Sequence, residues 1–260
     1  MTLERLRWSA SDCLVVTGRN LRHFTRQPQL LLFSTLQPIM FVVLFSYVFG
    51  GAVGRALPAG VDYKEFLLPG IFIQSVAFRA TQTAIGLAED MQRGVIDRFR
   101  SMPMARSAVV AGRTIADLVR NVFVIVLMAT VGYVIGFRFQ EGAPEAVASI
   151  LVVAMFSFAL SWIFVFVGLT VRVPEAAQSA GFIAIFPLVF ASSIFVPLKT
   201  MPSWLEGIAT ISPVTATANA ARGLAIGGEV AGPLVAAVLW SAAILTVFIP
   251  LSVWRYRRLQ

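Results

Sequence analysis

The chain has 260 residues, of which 58% are hydrophobic and only 13% are charged, and its formal net charge is +8 at pH 7. A soluble domain carries about 25% charged residues, so this composition excludes an ordinary soluble enzyme and favours a protein whose apolar helices cross a membrane. Because membrane proteins keep cationic loops in the cytoplasm beside anionic lipid, the positive charge indicates topology, and we expect no nucleic acid among the partners.

Reactive side chains are scarce, which narrows the chemistry further. Cys13 is the only cysteine and His23 is the only histidine. An intramolecular disulfide, a thiolate or histidine metal centre and a serine–histidine triad are therefore not expected. We expect no catalytic residue, no metal site and no cofactor in this chain.

The N-terminal head, residues 1–29, precedes the first long apolar run. Between Asp12 and Gln27, apolar residues alternate with arginines, a pattern typical of a short amphipathic helix at the cytoplasmic membrane surface. Two interpretations stay open: the helix is a lever that leads into the first span, or it is an anchor that only fixes topology. The apolar run that follows is too long for a cleaved signal peptide, so we expect it to be retained.

Six stretches are long and apolar enough to cross a bilayer, which takes about 20 residues. Arginines concentrate in the segments that share a side if both termini are cytoplasmic, and this bias orients the chain. The predicted fold class is an all-α polytopic membrane protein with a transmembrane domain at 30–254 and a cytoplasmic tail at 255–260. The predicted spans are Leu30–Gly50, Phe66–Ala88, Leu118–Phe137, Ala146–Thr170, Ser179–Leu198 and Pro233–Trp254.

Polar residues occupy one half of the second predicted span. Gln74, Arg79 and Gln82 fall on this half when successive residues are placed 100° apart. A lone arginine at mid-membrane costs about 2.5–3.5 kcal/mol on insertion scales, so this half should face the bundle interior or a wet cavity. Two interpretations stay open. Either Arg79 lines a substrate path, where it attracts an anionic headgroup or holds a closed state, or it is a structural clasp to a neighbouring carbonyl or hydroxyl.

Aromatic residues and methionines of the first and fifth spans suggest an apolar route for flat or acyl-chain compounds. Met40, Phe45 and Phe186 represent this group, although residues that simply face lipid have the same signature.

At the inner end of the third helix, Asp117 is spaced to bridge Arg113 and Arg120, which we interpret as a structural cluster.

The loop between the second and third spans, residues 89–107, is densely charged. Asp90 with Arg93, and Asp97 with Arg100, are spaced as i, i+3 pairs on a helix. An apolar stripe runs along the same predicted helix. Such a stripe on a loop needs a cover, either lipid headgroups or a partner protein.

The segment 199–232 after the fifth span is long and partly apolar. Pro202 can begin one short helix, and Ser212 followed by Pro213 can begin a second one that ends near Gly227. Two helices too short to span predict a segment that dips into the outer leaflet, where such backbone is tolerated only against protein or a wet cavity.

The charged loop resembles the cytoplasmic loop of the permeases of type-2 ABC exporters. In both, an acidic residue and a glycine, here Gly94, precede a helix that closes on a serine or threonine and a proline, here Ser101-Met102-Pro103. The stretch Gly132–Phe139 is similar to the daunorubicin-resistance branch of that family. After the fifth span, the residues similar to the family pattern are Pro202, Trp204, Pro213 and Arg222.

The resemblance implies the membrane subunit of an ATP-driven exporter of hydrophobic or amphipathic compounds, antibiotic-like drugs or lipids, in a bacterial plasma membrane. The implied partners are membrane lipids, a separate P-loop ATPase that binds ATP and Mg, and a second permease, either a copy or a paralogue. The implied coupling residues are Glu89, Asp90, Arg93, Gly94, Asp97, Arg98, Arg100 and Pro103. The implied residues of an outer gate are Pro202, Trp204, Pro213 and Arg222. The candidate path residues come from the span patterns described above and are Met40, Phe45, Gln74, Arg79, Gln82 and Phe186.

One motif is absent from the sequence in agreement with this interpretation. The chain contains no G-x-x-x-x-G-K-[ST], so it cannot bind and hydrolyse ATP by a P-loop, and in an ABC exporter the ATPase must be another chain. The alternative is a secondary transporter of hydrophobic compounds driven by an ion gradient, which needs titratable groups at mid-membrane. The predicted spans offer only Asp117, near an edge. An intramembrane enzyme would need an acid–base or metal set that the sequence does not supply.

Overall fold

A computed structural model describes residues 12–21, 28–57, 61–95 and 106–258 of the chain. Within these ranges the chain is helical with connecting loops and no strand, which confirms the all-α class. The helices, numbered in chain order, are α1 (12–21), α2 (Pro28–Val53), α3 (Tyr63–Gln92), α4 (Arg106–Ile135), α5 (Ala143–Val171), α6 (Pro174–Phe190), α7 (Ser203–Thr210), α8 (Pro213–Ile226) and α9 (Ala231–Arg257).

Three helices in the described part are long and apolar enough to cross a membrane by themselves, at Val110–Ile135, Ala143–Val171 and Ala231–Arg257. Pro174–Phe190 is a shorter apolar helix, and Leu36–Gly51 is an apolar stretch within α2. The 30 residues of α3 correspond to about 45 Å, but this helix carries polar side chains. The structure therefore supports a membrane protein, while the count of six spans and the side of the termini stay predictions.

The apolar core surrounds α3, which explains how this helix tolerates polar residues. Every residue from Leu67 to Ala77 is buried, because α2, α4, α5, α6 and α8 pack around the helix. The approach of α5 is very close: a Cβ at Gly168 would lie 2.7 Å from the carbonyl oxygen of Ala84. A glycine at this position lets the two backbones meet. Since neighbouring helices shield α3 from lipid, it needs no continuous apolar surface.

The fifth predicted span, Ser179–Leu198, differs from the helix at both ends. α6 begins at Pro174, whose fixed φ suits the first helical position, and it ends at Phe190. Residues 191–197 leave helical geometry although most of them are buried. The sequence stays largely apolar through residues 191–197, so the apolar pattern alone could not show that the helix ends at Phe190.

The helix that contains the third predicted span, Leu118–Phe137, begins well before that span. α4 starts at Arg106 and carries Arg113 and Asp117 inside the helix. The sequence pattern places these charges at the inner end of the third helix, just before the predicted span. In the structure they have partners on α3 and α4, which allows the helix to extend through them.

The predicted positions of the two short helices in 199–232 are confirmed. α7 follows Pro202, and α8 begins at Pro213 and ends at Gly227, which has a φ of 86°. Ser212 is the N-cap residue of α8, but its hydroxyl makes no cap hydrogen bond. α8 is buried along most of its length against α3, α5 and α9. This short helix therefore packs against protein, as its length requires.

The head helix α1 is docked on the start of α4. The Thr17 hydroxyl donates a hydrogen bond of 3.0 Å to the carbonyl oxygen of Gly112. A Cβ at Gly112 would lie 2.8 Å from both the Cys13 carbonyl oxygen and the Cβ of Val16. On the other side of α1, Leu14 and Val15 are exposed. Residues 22–27 of the predicted head helix lie outside the described ranges.

Candidate functional site

The end of α3 carries the described part of the predicted coupling loop. Arg93 Nη2 lies 3.3 Å from Glu89 Oε2, an exposed i, i+4 pair. The predicted pairing of Asp90 with Arg93 is wrong, because Asp90 forms its ion pair with Arg113 of α4 instead. The helical spacing of the loop charges could not reveal this partner from a different helix.

Gly94 ends α3 with a left-handed residue. Its φ is 66°, and its N–H donates a hydrogen bond of 3.1 Å to the Met91 carbonyl oxygen. Glycine adopts this conformation without the strain that a Cβ would bring, and it is the usual residue just after a helix. The glycine that the sequence pattern singled out therefore sets the exit of the chain from α3. The remaining predicted coupling residues, Asp97, Arg98, Arg100 and Pro103, lie outside the described residues.

The ion pair of Asp90 with Arg113 joins the two helices that flank the loop. Asp90 lies in the last turn of α3, and Arg113 lies near the start of α4. The Arg113 guanidinium rests directly over Gly86, where any Cβ would collide with Nη2. Gly86 leaves the space that the Arg113 side chain occupies, and Asp90 binds its guanidinium. We therefore expect the ends of α3 and α4 that flank the loop to move as one unit.

Arg79 is bonded to an amide deeper in the bundle. Its Nε donates a hydrogen bond of 3.1 Å to Asn121 Oδ1 on α4, and Asn121 Nδ2 donates one of 2.6 Å to Ser157 Oγ on α5. Asn121 and Ser157 are buried. The contact has the form of a clasp, but it is made to a side-chain amide rather than to the carbonyl or hydroxyl expected from the sequence.

Asp117 forms a second branch of the same polar group. Thr83 donates a hydrogen bond of 2.7 Å to Asp117 Oδ2, and Arg120 pairs with Asp117 Oδ1. The predicted bridge from Asp117 to Arg113 is not formed, because Arg113 is bound by Asp90. We call this group the polar seam; its members are Arg79, Thr83, Asp117, Arg120, Asn121 and Ser157.

Phenylalanines of the predicted apolar route belong to a row of contacting aromatic rings, while the route itself stays a prediction. Phe186 contacts Phe78 of α3, with ring centroids 5.5 Å apart, and Phe190 at 5.3 Å. Phe195 extends the row to Phe45 of α2 at 4.5 Å. We call the row the aromatic line; its members are Phe45, Phe78, Phe182, Phe186, Phe190 and Phe195.

The other predicted path residues are placed differently from one another. Phe186 is 48% exposed and Met40 is 61% exposed, so both face outward from this chain. Gln82 is exposed, whereas Gln74 is buried and its Oε1 has no partner among the described residues. The helical projection placed both glutamines on one half of α3, but the packing of α3 leaves only Gln82 at the surface.

Arg222, predicted as a gate residue, is buried in α8 and joins three parts of the chain. Its Nε donates to the Phe66 carbonyl oxygen on α3 and its Nη2 donates to the Ile194 carbonyl oxygen, both at 2.7 Å. Its Nη1 donates to Asn219 Oδ1 at 3.1 Å and to Ser193 Oγ at 3.2 Å. The guanidinium carbon lies 3.7 Å from the centroid of the Phe66 ring. We call these contacts the Arg222 clamp.

The clamp closes over the non-helical residues 191–197. A Cβ at Gly70 would lie 2.7 Å from the Ile194 carbonyl oxygen and 3.0 Å from Arg222 Nη2, so the clamp requires glycine there. Tyr63 adds a hydrogen bond of 2.9 Å to the Phe195 carbonyl oxygen. Side chains thereby replace helical hydrogen bonds that the non-helical residues after α6 lack.

Sequence reasoning missed Gly70 and the partners Ser193 and Asn219, since small and amide residues in apolar segments carry no distinctive pattern. The remaining gate residues do not join the clamp. Pro202 and Pro213 start α7 and α8, and Trp204 is 68% exposed on α7.

Comparisons with known proteins match the chain over nearly its whole length. The family model described as ABC-2 type transporter matches residues 11–226. The chain is 34% identical over 249 residues to the daunorubicin resistance ABC transporter permease protein DrrB1 of Streptomyces coeruleorubidus, covering 96% of this chain and 87% of the relative.

Two more distant relatives have similar names. A probable doxorubicin resistance ABC transporter permease protein, DrrC of Mycobacterium tuberculosis, is 25% identical, covering 95% of this chain and 89% of its own length. A putative transport permease, ycf38 of Porphyra purpurea, is 26% identical over 73% of this chain and 65% of its own length.

Proposed function

The chain belongs to the ABC-2 type transporter family, and we propose that it exports hydrophobic or amphipathic compounds as one half of a transmembrane dimer. It is the permease subunit of an ABC transporter, so a separate ATPase subunit hydrolyses ATP. The observation that carries the proposed substrate class is the match to permeases named for resistance to daunorubicin and doxorubicin. Antibiotic-like drugs and lipids both fall within this class.

The proposed arrangement places six spans in a bacterial plasma membrane with both termini in the cytoplasm. The second permease is a copy of this chain or a paralogue, and lipids surround the dimer. The partner ATPase binds ATP and Mg and receives the loop 89–107. The bias of arginines toward one side supports this orientation.

Movement of the ATPase would enter the bundle through α3 and α4. The pair of Asp90 with Arg113 supports this proposal, because it fastens the two helices where the loop leaves them. The polar seam extends the connection to α5 through Asn121 and Ser157. A tilt of this unit would change the space beside the aromatic line. Release of the Arg222 clamp would open the proposed path at its outer end.

An ion-gradient carrier is less consistent with the site. Such a carrier needs a carboxylate or histidine that is free to exchange a proton or a cation inside the bundle. Asp117, the carboxylate of the polar seam, is held by Arg120 and Thr83. The exporter proposal therefore accounts better for the charges of the described residues.

Transport in inverted membrane vesicles tests the proposed function. Vesicles that contain the permease and its ATPase should accumulate a fluorescent amphipathic drug when ATP is added. Accumulation should stop when the P-loop lysine of the ATPase is replaced by alanine, and it should persist when an uncoupler collapses the proton gradient. Uptake that needs no ATP and is abolished by the uncoupler would replace the exporter with a gradient-driven carrier.

A further inference from the structure

The polar seam contains more positive than negative charge. Arg79 and Arg120 both belong to it, but Asp117 is its only carboxylate, and that group is engaged by Arg120. Arg79 donates through Nε to a neutral amide. No hydrogen bond or ion pair of its two terminal nitrogens is made to any residue that the structure describes. The guanidinium of Arg79 is thus held at one nitrogen, with its outer edge available to a ligand.

The surroundings of this edge are partly accessible and amphipathic. Arg79 is only partly buried, and Gln82, one turn further along α3, is exposed. Phe78 precedes Arg79, and its ring contacts those of Phe182 and Phe186, at centroid distances of 6.1 and 5.5 Å. Both α6 rings are partly exposed. Phe78, Arg79 and Gln82 therefore occupy neighbouring positions on the partly exposed side of α3, and the two α6 rings lie against Phe78.

We propose that Arg79 is an anion-binding site that selects amphiphiles carrying a carboxylate or a phosphate. The planar guanidinium offers two parallel N–H groups, which match the two oxygens of such an anion. An arginine inside a membrane that forms no ion pair with a carboxylate is costly, so an anionic ligand that pairs with it removes part of that cost. The apolar part of the ligand lies on Phe78, Phe182 and Phe186. Asn121 fixes the guanidinium so that its free edge points away from the amide.

This inference gives the sign of the charge on the compounds that the proposed path accepts. The role of Arg79 in transport rests on the proposed function. An acidic amphiphile would gain a charge-assisted contact at Arg79, whereas an amine-bearing amphiphile of equal size would meet a like charge there. The anion can come from a lipid headgroup or from a transported acidic compound. Both present the same chemistry to the guanidinium.

The test measures equilibrium binding of three matched probes to the permease with its ATPase, held in nanodiscs of zwitterionic lipid. The probes are pyrenebutyrate, pyrenebutanol and a pyrenebutyl trimethylammonium salt, which share the ring system and differ in charge. The wild type should bind pyrenebutyrate about tenfold more tightly than pyrenebutanol, as a charge-assisted hydrogen bond predicts. Equal binding of the three probes by the wild type would overturn the proposal without any variant.

Variants separate the site from general electrostatics. Arg79→Gln should remove the preference for pyrenebutyrate, Arg79→Lys should keep part of it, and the matched control Arg138→Gln, at an exposed loop arginine, should leave it unchanged. A preference that survives Arg79→Gln would overturn the site.

A repeat with phosphatidylglycerol in the nanodiscs identifies the source of the anion. If this lipid weakens pyrenebutyrate binding by the wild type but not by Arg79→Gln, the site binds a lipid headgroup. If binding by the wild type is undiminished, the site binds a soluble compound. Binding needs no ATP hydrolysis, so failure of the exporter proposal would be seen separately, in the vesicles.

Discussion

Arg222 illustrates how the bundle holds a buried cation by means of neutral groups. Four oxygens accept from its guanidinium, and the ring of Phe66 covers one face. Two of the acceptors, the carbonyl oxygens of Phe66 and Ile194, belong to backbone at separate places in the chain. A charge with this many fixed acceptors is well suited to join α3, α8 and the break after α6.

Replacing Arg222 with lysine should destabilise the protein, because one ammonium group cannot reach the acceptors that the planar guanidinium spans. Each buried acceptor left without a donor costs about 1–3 kcal/mol. We expect a clearly lower midpoint of thermal unfolding for the purified permease with its ATPase. The matched control is Arg172→Lys, at an exposed arginine, which should leave the midpoint unchanged. An equal, small effect of both substitutions would show that the clamp contributes little.

At this scale the sequence predicts the presence of special residues better than their partners. Arg79 and Gly94 stand out because an arginine in an apolar span and a glycine after a helix are unusual. The pairings of Asp90 with Arg113 and of Arg79 with Asn121 depend on how α3 and α4 are rotated and shifted against each other. Spacing along one helix holds no information about that arrangement.

The contact of α1 with α4 has a mechanical consequence at the scale of elements. Thr17 binds the backbone at Gly112, and the absence of a side chain at Gly112 lets the helices touch. This contact ties the head helix to the helix that returns from the charged loop. It favours the interpretation of α1 as a lever, whose function stays a prediction.

Gly112→Ala should push α1 away from α4, because the new Cβ would lie 2.8 Å from the Cys13 carbonyl oxygen. Cys13 is the only cysteine of the chain and is partly buried. Its rate of labelling by a maleimide should therefore rise several-fold in the variant. Gly18→Ala is the control, since a Cβ there has no neighbour within 4 Å. Unchanged labelling in Gly112→Ala would mean that α1 is not held at this point.

At the scale of elements, local signals predict the short helices but not the end of α6 at Phe190. Proline at a first position and glycine after an end act through the backbone of the same segment, so α7 and α8 could be placed from the sequence. The non-helical stretch 191–197 is stabilised by Tyr63 and Arg222, which lie far away in the chain. Such support becomes visible only in the folded bundle.

For the whole molecule, the composition and the charge bias predict an α-helical membrane protein. The loop motif predicts its family together with Gly132–Phe139 and the residues after the fifth span. The buried, polar α3 is the part that composition represents least well, because its neighbours rather than lipid surround it. The same packing places the polar seam between the charged loop and the aromatic line. The central claim is that an external ATPase drives this bundle through that loop.

Purification of the chain from its native membrane in mild detergent, with mass spectrometry of the proteins that accompany it, tests this claim most directly. We expect a stoichiometric P-loop ATPase, which is lost when Asp97, Arg98 and Arg100 are replaced together by alanine. The same replacement of Arg138, Glu141 and Lys199, which are exposed elsewhere, should retain it. A chain that purifies alone and remains folded would contradict the account.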